Sequence, residues 1–425
     1  MSATAALVAP RTPARDVPWW AIVAPLFLTQ MPIVNDTGPG HIIRLLLLVG
    51  IVALVVMRLN ALAARVSTAE KLMLAALPLL TLCSTLSGLV LGYAPDPGEI
   101  LKFVALDIAC FAVGRCVADA RNAVRLVEVY YWICIVAALQ GCVAIALDTV
   151  GMRQMHAIPL YVEADRRYFL PWFGLLGGDV GNLRTNFYFS ESTYFAQMLI
   201  PAIAYALVSR RWIGFGVLVV GLGTTSSASG AAGMAGVVLL LTLRMRIPLW
   251  LIAMFVVGAG IAAYVVLHLL EGSTALFTLL DRGKSVSDKL ESFQFIVNQL
   301  RLHPFGVGPV NANDTFGTLV NTSNGLLQLL VLHGVLAAPF IAVLLGALAW
   351  YGVIAPRGPV SAALAVGLLG AAASGITHGP LLKYYALTLF GLMLVIADAE
   401  AGATAGTRAP ADPPAPPRAA AAADA

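Results

Sequence analysis

Apolar residues run through the chain in stretches of roughly 17 to 25, long enough for a helix to cross about 30 Å of hydrocarbon. The pattern predicts about twelve spans: 19–34, 41–57, 72–93, 99–118, 124–147, 188–208, 211–225, 228–243, 248–270, 324–354, 359–377 and 380–397. The first follows directly on the polar, basic "MSATAALVAPRTPARDVP", so it is expected to serve as its own insertion signal. Two connections are long, 148–187 and 271–323. In the second, Val286, Leu290, Phe293, Val297 and Leu300 recur in helical steps, with Glu291, Gln294, Asn298 and Arg301 on the opposite stripe. This is an amphipathic helix too polar to span. Ser285 or Ser287 suits its N-cap, and "HPFGVGP" ends it with proline and glycine.

Composition supports that reading, because 59% of the 425 residues are hydrophobic, 11% are charged and the mean hydropathy is +0.85. Soluble chains of this size do not look like this. The expected fold class is all-α: a polytopic integral membrane protein with two long non-cytoplasmic loops. Its parts are an N-terminal tail (1–18), helices over 19–147, a first loop (148–187), helices over 188–270, a second loop (271–323), helices over 324–397 and an Ala/Pro-rich tail (398–425). The tail is too Ala/Pro-rich to pack and is expected to be disordered.

Basic residues orient the bundle. Arg58, Arg65, Lys71, Arg115, Arg121, Arg125, Arg210, Arg211, Arg244 and Arg246 fall at alternate ends, whereas "NDTGPG", "GYAPDPGE" and "GTTSSAS" hold none. By the positive-inside rule both termini face the cytoplasm and both long loops face outward, which in a bacterium means the inner membrane and its periplasmic face. Those loops nonetheless carry Arg153, Arg166, Arg167, Arg184, Arg282, Lys284, Lys289 and Arg301. A basic surface on that side suits an anionic ligand; solvated charge balanced by nearby carboxylates is the plainer account.

Several chemistries find no footing. The five cysteines lie in apolar spans as packing residues, the six histidines lack metal-ligand spacing, and no phosphate-binding glycine fingerprint occurs. Neither a cofactor nor a nucleic-acid partner is expected. Within the spans, Arg44 and Asp107 are costly unless paired, and a pair between the second and fourth spans would hold them.

At the edge of the sixth span "NLRTNFYFSESTYFAQ" places Arg184 and Glu191 seven residues apart. Arg184 suits either a headgroup anchor or a two-pronged phosphate contact, and Glu191 either its ion-pair partner or a general base. Tyr188, Phe189, Tyr194 and Phe195 read as an aromatic belt.

Residues 180–397 resemble the O-antigen polymerase and O-antigen ligase superfamily. "KLESFQFIVNQLRLHPFGVGPVN" followed by "TSNGLLQLLVLHGVLAAPF" is similar to its loop helix, His-Pro-x-x-Gly-x-Gly turn and following helix. "LRTNFYFSESTYFAQ" resembles its Arg…Phe-x-Glu-Pro-Ser…Ala segment, and "TTSSASGAAGMAGVVLLL" its serine-rich helix start, without the family's Ser-Arg-Gly arginine. The resemblance implies a metal-independent glycosyltransferase that uses a polyprenyl-diphosphate-linked oligosaccharide, within membrane lipid, beside a chain-length regulator and a flippase of the same pathway. It implies that Arg184, Arg282, Lys289 and Arg301 meet the diphosphate, that Glu191 takes the acceptor proton, and that His303 and Asn324 support them. Lys289 stands where the family has a second loop arginine, with Arg282 one or two turns away. Ser323-Asn324 replaces the His-Asn pair of the ligase branch, which favours the polymerase branch, although His333 and His378 remain in the same region. A transporter or flippase of an anionic or lipid-linked substrate is the alternative from another class.

Overall fold

The computed structural model describes residues 18–28, 38–117, 119–149, 157–163, 166–171, 192–225, 227–245, 294–310, 325–355, 358–377 and 384–406. In order these form α1 (Trp20–Leu28), α2 (Gly38–Met57), α3 (Leu59–Arg65) and α4 (Thr68–Val90). Next comes α5, made of Pro97–Leu101, a π-helical turn Lys102–Leu106 and Asp107–Arg115; then α6 (Ala120–Thr149). A hairpin, β1 (Ala157–Glu163) and β2 (Arg166–Pro171), precedes α7 (Ser192–Val208), α8 (Trp212–Thr224) and α9 (Ala228–Met245). Residues 294–302 are helical and are termed α10. The chain continues as α11 (Gly325–His333), a 3-10 turn Gly334–Leu336, α12 (Ala337–Ala349) ending in a π-helical turn Trp350–Ile354, α13 (Pro359–Thr377) and α14 (Tyr384–Gly406).

Four helical stretches are long and apolar enough to cross a membrane: Thr68–Val90, Ala120–Val143, Leu329–Ile354 and Tyr384–Ala403. Five shorter apolar helices, Leu45–Met57, Thr193–Val208, Trp212–Thr224, Ser229–Arg244 and Pro359–Gly375, pack with them. Helices suit this setting because each satisfies its own backbone where no water is available. The span expected at 248–270 lies outside the described residues. The loop expected over 148–187 contains the antiparallel hairpin, in which Leu160 faces Tyr168 and the register shifts between Tyr161 and Glu163.

At the centre of the bundle stands α7, on which every residue from Thr193 to Leu207 is buried. Tyr194 and Phe195, expected in an aromatic belt, are core residues instead, because neighbouring helices enclose α7 on all sides. Small residues allow close approach: a Cβ on Gly114 of α5 would lie 2.1 Å from the Thr388 carbonyl of α14, and one on Gly391 would lie 2.5 Å from the Phe111 carbonyl. The outer faces are apolar too, as with Leu72, Leu79, Leu82, Leu86 and Leu89 along α4, and present lipid-compatible surface.

Charge is gathered at one end. Ser67 caps α4 reciprocally, its hydroxyl accepting from the Glu70 N–H at 3.3 Å while Glu70 accepts from the Ser67 N–H at 2.6 Å. The same Glu70 receives the Nε of Arg115 at 2.9 Å, and Arg115 also reaches Asp398 at 2.8 Å and the Arg65 carbonyl at 3.1 Å. Nearby, Arg244 donates to the Gly352 and Ala355 carbonyls, both at 2.8 Å, where the π turn leaves them unpaired. Glu400 meets Ser361 and the first N–H groups of α13. Both contacts match charge to helix-end dipoles. They also explain a correction: α14 runs to Gly406, past the expected start of a disordered tail at 398, because Asp398 and Glu400 have partners in the bundle. α2 and α5 pack together as the expected Arg44–Asp107 pair requires, with the Arg44 side chain outside the described residues.

Candidate functional site at the end opposite the charge clusters

The opposite end is built on hydroxyls along α4. A serine or threonine inside a helix satisfies its O–H on the preceding turn, and Thr81 donates to Leu77 O at 2.9 Å, Thr85 to Thr81 O at 2.7 Å and Ser84 to Thr81 O at 3.0 Å. With its proton so placed, the Ser84 oxygen accepts from Nδ1–H of His333, 2.9 Å away. Nε2 is then the acceptor nitrogen of that ring. Both side chains are buried.

His333 ends α11, and Gly334 follows with φ of 66°. Onto this break fits the turn 303–310. Gly306 and Gly308 have φ of 80° and 84°, a region that side-chain-bearing residues avoid. The turn is bound on two sides: Val307 N donates to Val331 O at 3.2 Å, Gly308 N to Leu332 O at 2.9 Å and Val335 N to Pro304 O at 2.8 Å. On the α4 side, Ser87 Oγ donates to Gly306 O at 2.9 Å, and beyond α4 the Asp96 N–H donates to Pro309 O at 2.8 Å. Gly88 sits beneath the turn, where a Cβ would lie 2.1 Å from Val307 O. Ile296, Val307, Val310, Val331 and Leu332 form a small apolar core here, with Tyr93 and Phe295 against it.

The expected helix in the second long loop is thus present over 294–302, and the turn expected to end it does so. Of the site residues read from the sequence, Arg301 is exposed on α10. His303 stands at its end, edge-on to Tyr93 with ring centroids 6.0 Å apart. Its enclosed Nδ1 has no hydrogen-bond partner among the described residues. Arg184, Glu191, Arg282, Lys289, Asn324 and His378 lie outside the described residues. The residues that sequence reasoning missed are Ser84, Ser87, Tyr93 and Asp96. Their signal is faint: Thr81, Ser84, Thr85 and Ser87 occupy neighbouring helical positions in an otherwise apolar span.

Chemically, the site joins two imidazoles, helix hydroxyls and an exposed guanidinium at one rim. Imidazole nitrogens and hydroxyls can donate or accept hydrogen bonds, and a guanidinium binds phosphate or carboxylate. Asp96 is committed locally, its Oδ1 accepting from the Gly98 N–H at 2.7 Å. Among the described residues no three histidine, cysteine, aspartate or glutamate side chains gather to hold a metal. The chain matches no protein-family model and no curated protein.

Proposed function

We propose that this chain is a membrane glycosyltransferase that polymerises polyprenyl-diphosphate-linked oligosaccharide repeat units into a surface polysaccharide. On this reading it is a twelve-span protein of the bacterial inner membrane, both termini are cytoplasmic, and the site described above faces the periplasm. Arg184, with Arg282, Lys289 and Arg301, neutralises the diphosphate that leaves as the new bond forms. Glu191 accepts the proton of the attacking hydroxyl. Lipid-linked donor, flippase and chain-length regulator are the corresponding partners.

The observation that carries the proposal is the turn His303–Val310. It joins an interfacial helix to the bundle, stands next to His333, and holds its shape through a Gly-x-Gly pair, Gly306 and Gly308, like that of the family's turn but with one residue fewer between Pro304 and the first glycine. A membrane-edge platform beside exposed Arg301 is a fitting place to hold a lipid-borne anion. The test is the profile of lipid-linked oligosaccharides in a deletion strain. Single repeats accumulating on the carrier are expected; long carrier-bound chains that never reach an acceptor would instead indicate a ligase.

A transporter or flippase is the second reading, and Asp107 favours it. This carboxylate lies inside α5 directly after the π turn Lys102–Leu106. Helix irregularities beside ionisable groups in spans often mark transport paths. Transfer of repeat units by the purified protein, with no membrane to cross, separates the two.

A further inference from the structure

At the charged end, α6, α7 and α8 meet in a corner with its own architecture. α6 and α8 lie in register: a Cβ on Gly214 would strike the Tyr131 hydroxyl at 1.8 Å, and one on Gly221 would lie 2.4 Å from the Ala138 Cβ. This brings Arg211 to Glu128 at 2.5 Å, with its guanidinium 5.0 Å above the Tyr131 ring and 5.5 Å from that of Tyr205. Arg125 stands one turn before Glu128 on α6 and Arg121 one turn earlier; both are exposed. Arg210, next to Arg211, is exposed as well, and among the described residues neither Arg121 nor Arg210 meets a carboxylate.

Arg210 also holds an unusual backbone position. The Arg211 N–H donates to Ala206 O at 2.9 Å and the Arg210 N–H to Leu207 O at 3.2 Å, the pair of bonds that closes a helix when the residue between adopts the left-handed conformation. Glycine normally fills that place. Here it is arginine, with φ of 55°, the one non-glycine residue with positive φ among those described. A strained backbone kept at an exposed cation points to use of that cation.

Below the arginines the same face of α6 turns apolar without changing direction. Trp132, Val136 and Leu139 follow at helical steps and are 56%, 60% and 47% exposed. The face therefore has a cationic head and an apolar track, the layout of a membrane lipid.

We propose that this corner binds an anionic phospholipid, its phosphate held by Arg121 and Arg210 and an acyl chain lying along Trp132, Val136 and Leu139. The Arg211–Glu128 pair, fixed by the two tyrosines, sets the corner's shape and is not spent on the ligand. The site is independent of the transferase reading and requires only that these helices sit in a bilayer.

The test uses the full chain in detergent and intact-complex mass spectrometry with phosphatidylglycerol, phosphatidylcholine or inorganic phosphate added. Phosphatidylglycerol should be retained in a single tight copy and phosphatidylcholine should not. Arg121→Gln combined with Arg210→Gly should lower retention about thirtyfold, each arginine near a membrane surface contributing about fivefold. Arg210→Gly relieves the left-handed backbone, so thermal unfolding of the variant should show no loss of folded protein. Lys71→Gln, which removes an exposed charge from α4 at the same end, should leave retention unchanged. Equal retention of the two lipids would overturn the proposal, as would an equal loss with Lys71→Gln. Displacement by millimolar inorganic phosphate would also overturn it, by showing that the acyl track contributes nothing.

Discussion

Ser84 and His333, 249 positions apart in the sequence, share a 2.9 Å hydrogen bond between Oγ and Nδ1 inside the bundle. Ser84→Ala removes the acceptor and leaves a buried imidazole N–H unsatisfied, a loss of about 1–3 kcal/mol. A fall in thermal midpoint, followed by tryptophan fluorescence, is the expected outcome. In a double-mutant cycle with His333→Gln the two losses should couple instead of adding.

The turn 303–310 should tolerate no side chain at its glycines. Gly306→Ala places a Cβ 2.3 Å from Leu332 O at φ of 80°, and the left-handed backbone alone costs about 1–2 kcal/mol for an ordinary residue. The protein should still insert, because its spans are untouched, yet expose 303–310 to protease and, on the transferase reading, lose transfer activity. Normal protease resistance in Gly306→Ala would show that the turn is not rigidly seated.

Arg115 separates a structural ion pair from a marginal one. Its side chain and that of Glu70 are only 5% and 12% exposed, whereas Asp398 is 55% exposed. Glu70→Gln should therefore cost about 1–3 kcal/mol, since it leaves the buried guanidinium with only the half-exposed Asp398 as a carboxylate partner, and Asp398→Asn less than about 1 kcal/mol. The yield of monodisperse protein on size exclusion should fall sharply for the first and little for the second.

The transferase reading predicts different kinetics at its two principal residues. Arg184→Lys should lose most activity at normal protein level, because a point charge cannot reproduce a two-pronged phosphate contact. Glu191→Gln should leave donor binding intact and slow transfer by about 10² to 10⁴. Of Lys289→Ala and Arg282→Ala, only the residue that faces the diphosphate should resemble Arg184→Ala. Wild-type rates in Arg184→Ala with lipid-linked repeat units would reduce this arginine to an anchor.

What the sequence makes visible follows from which forces are local. A bilayer demands long apolar helices, so stretches such as Thr68–Val90 and Ala120–Val143 stand out by length alone. The end of α10 is legible for the same kind of reason, since proline and paired glycines punctuate locally. The extension of α14 is not: "ADAEAGATAG" reads as a tail until Asp398 and Glu400 find Arg115 and Ser361 on other elements. Burial of Tyr194 and Phe195 is equally hidden, because an aromatic at a helix end looks the same whether lipid or protein surrounds it. Ser84 escapes notice since its partner lies 249 positions away and nothing local announces the contact.

The separation of α4 from its partners also sets an order of events during synthesis. At about 5–20 residues per second, ribosomes need about 12–50 seconds to pass from Ser84 to His333. Throughout that interval α4 resides in the membrane without the turn or α11. Three of its hydroxyls need no helper while they wait, because Thr81, Ser84 and Thr85 already donate to carbonyls of their own helix, and only Ser87 awaits the Gly306 carbonyl of the turn. The site therefore cannot close until residues 303–333 have been made, and a chain stalled before residue 300 would leave an open seam along α4 for quality-control proteases to recognise.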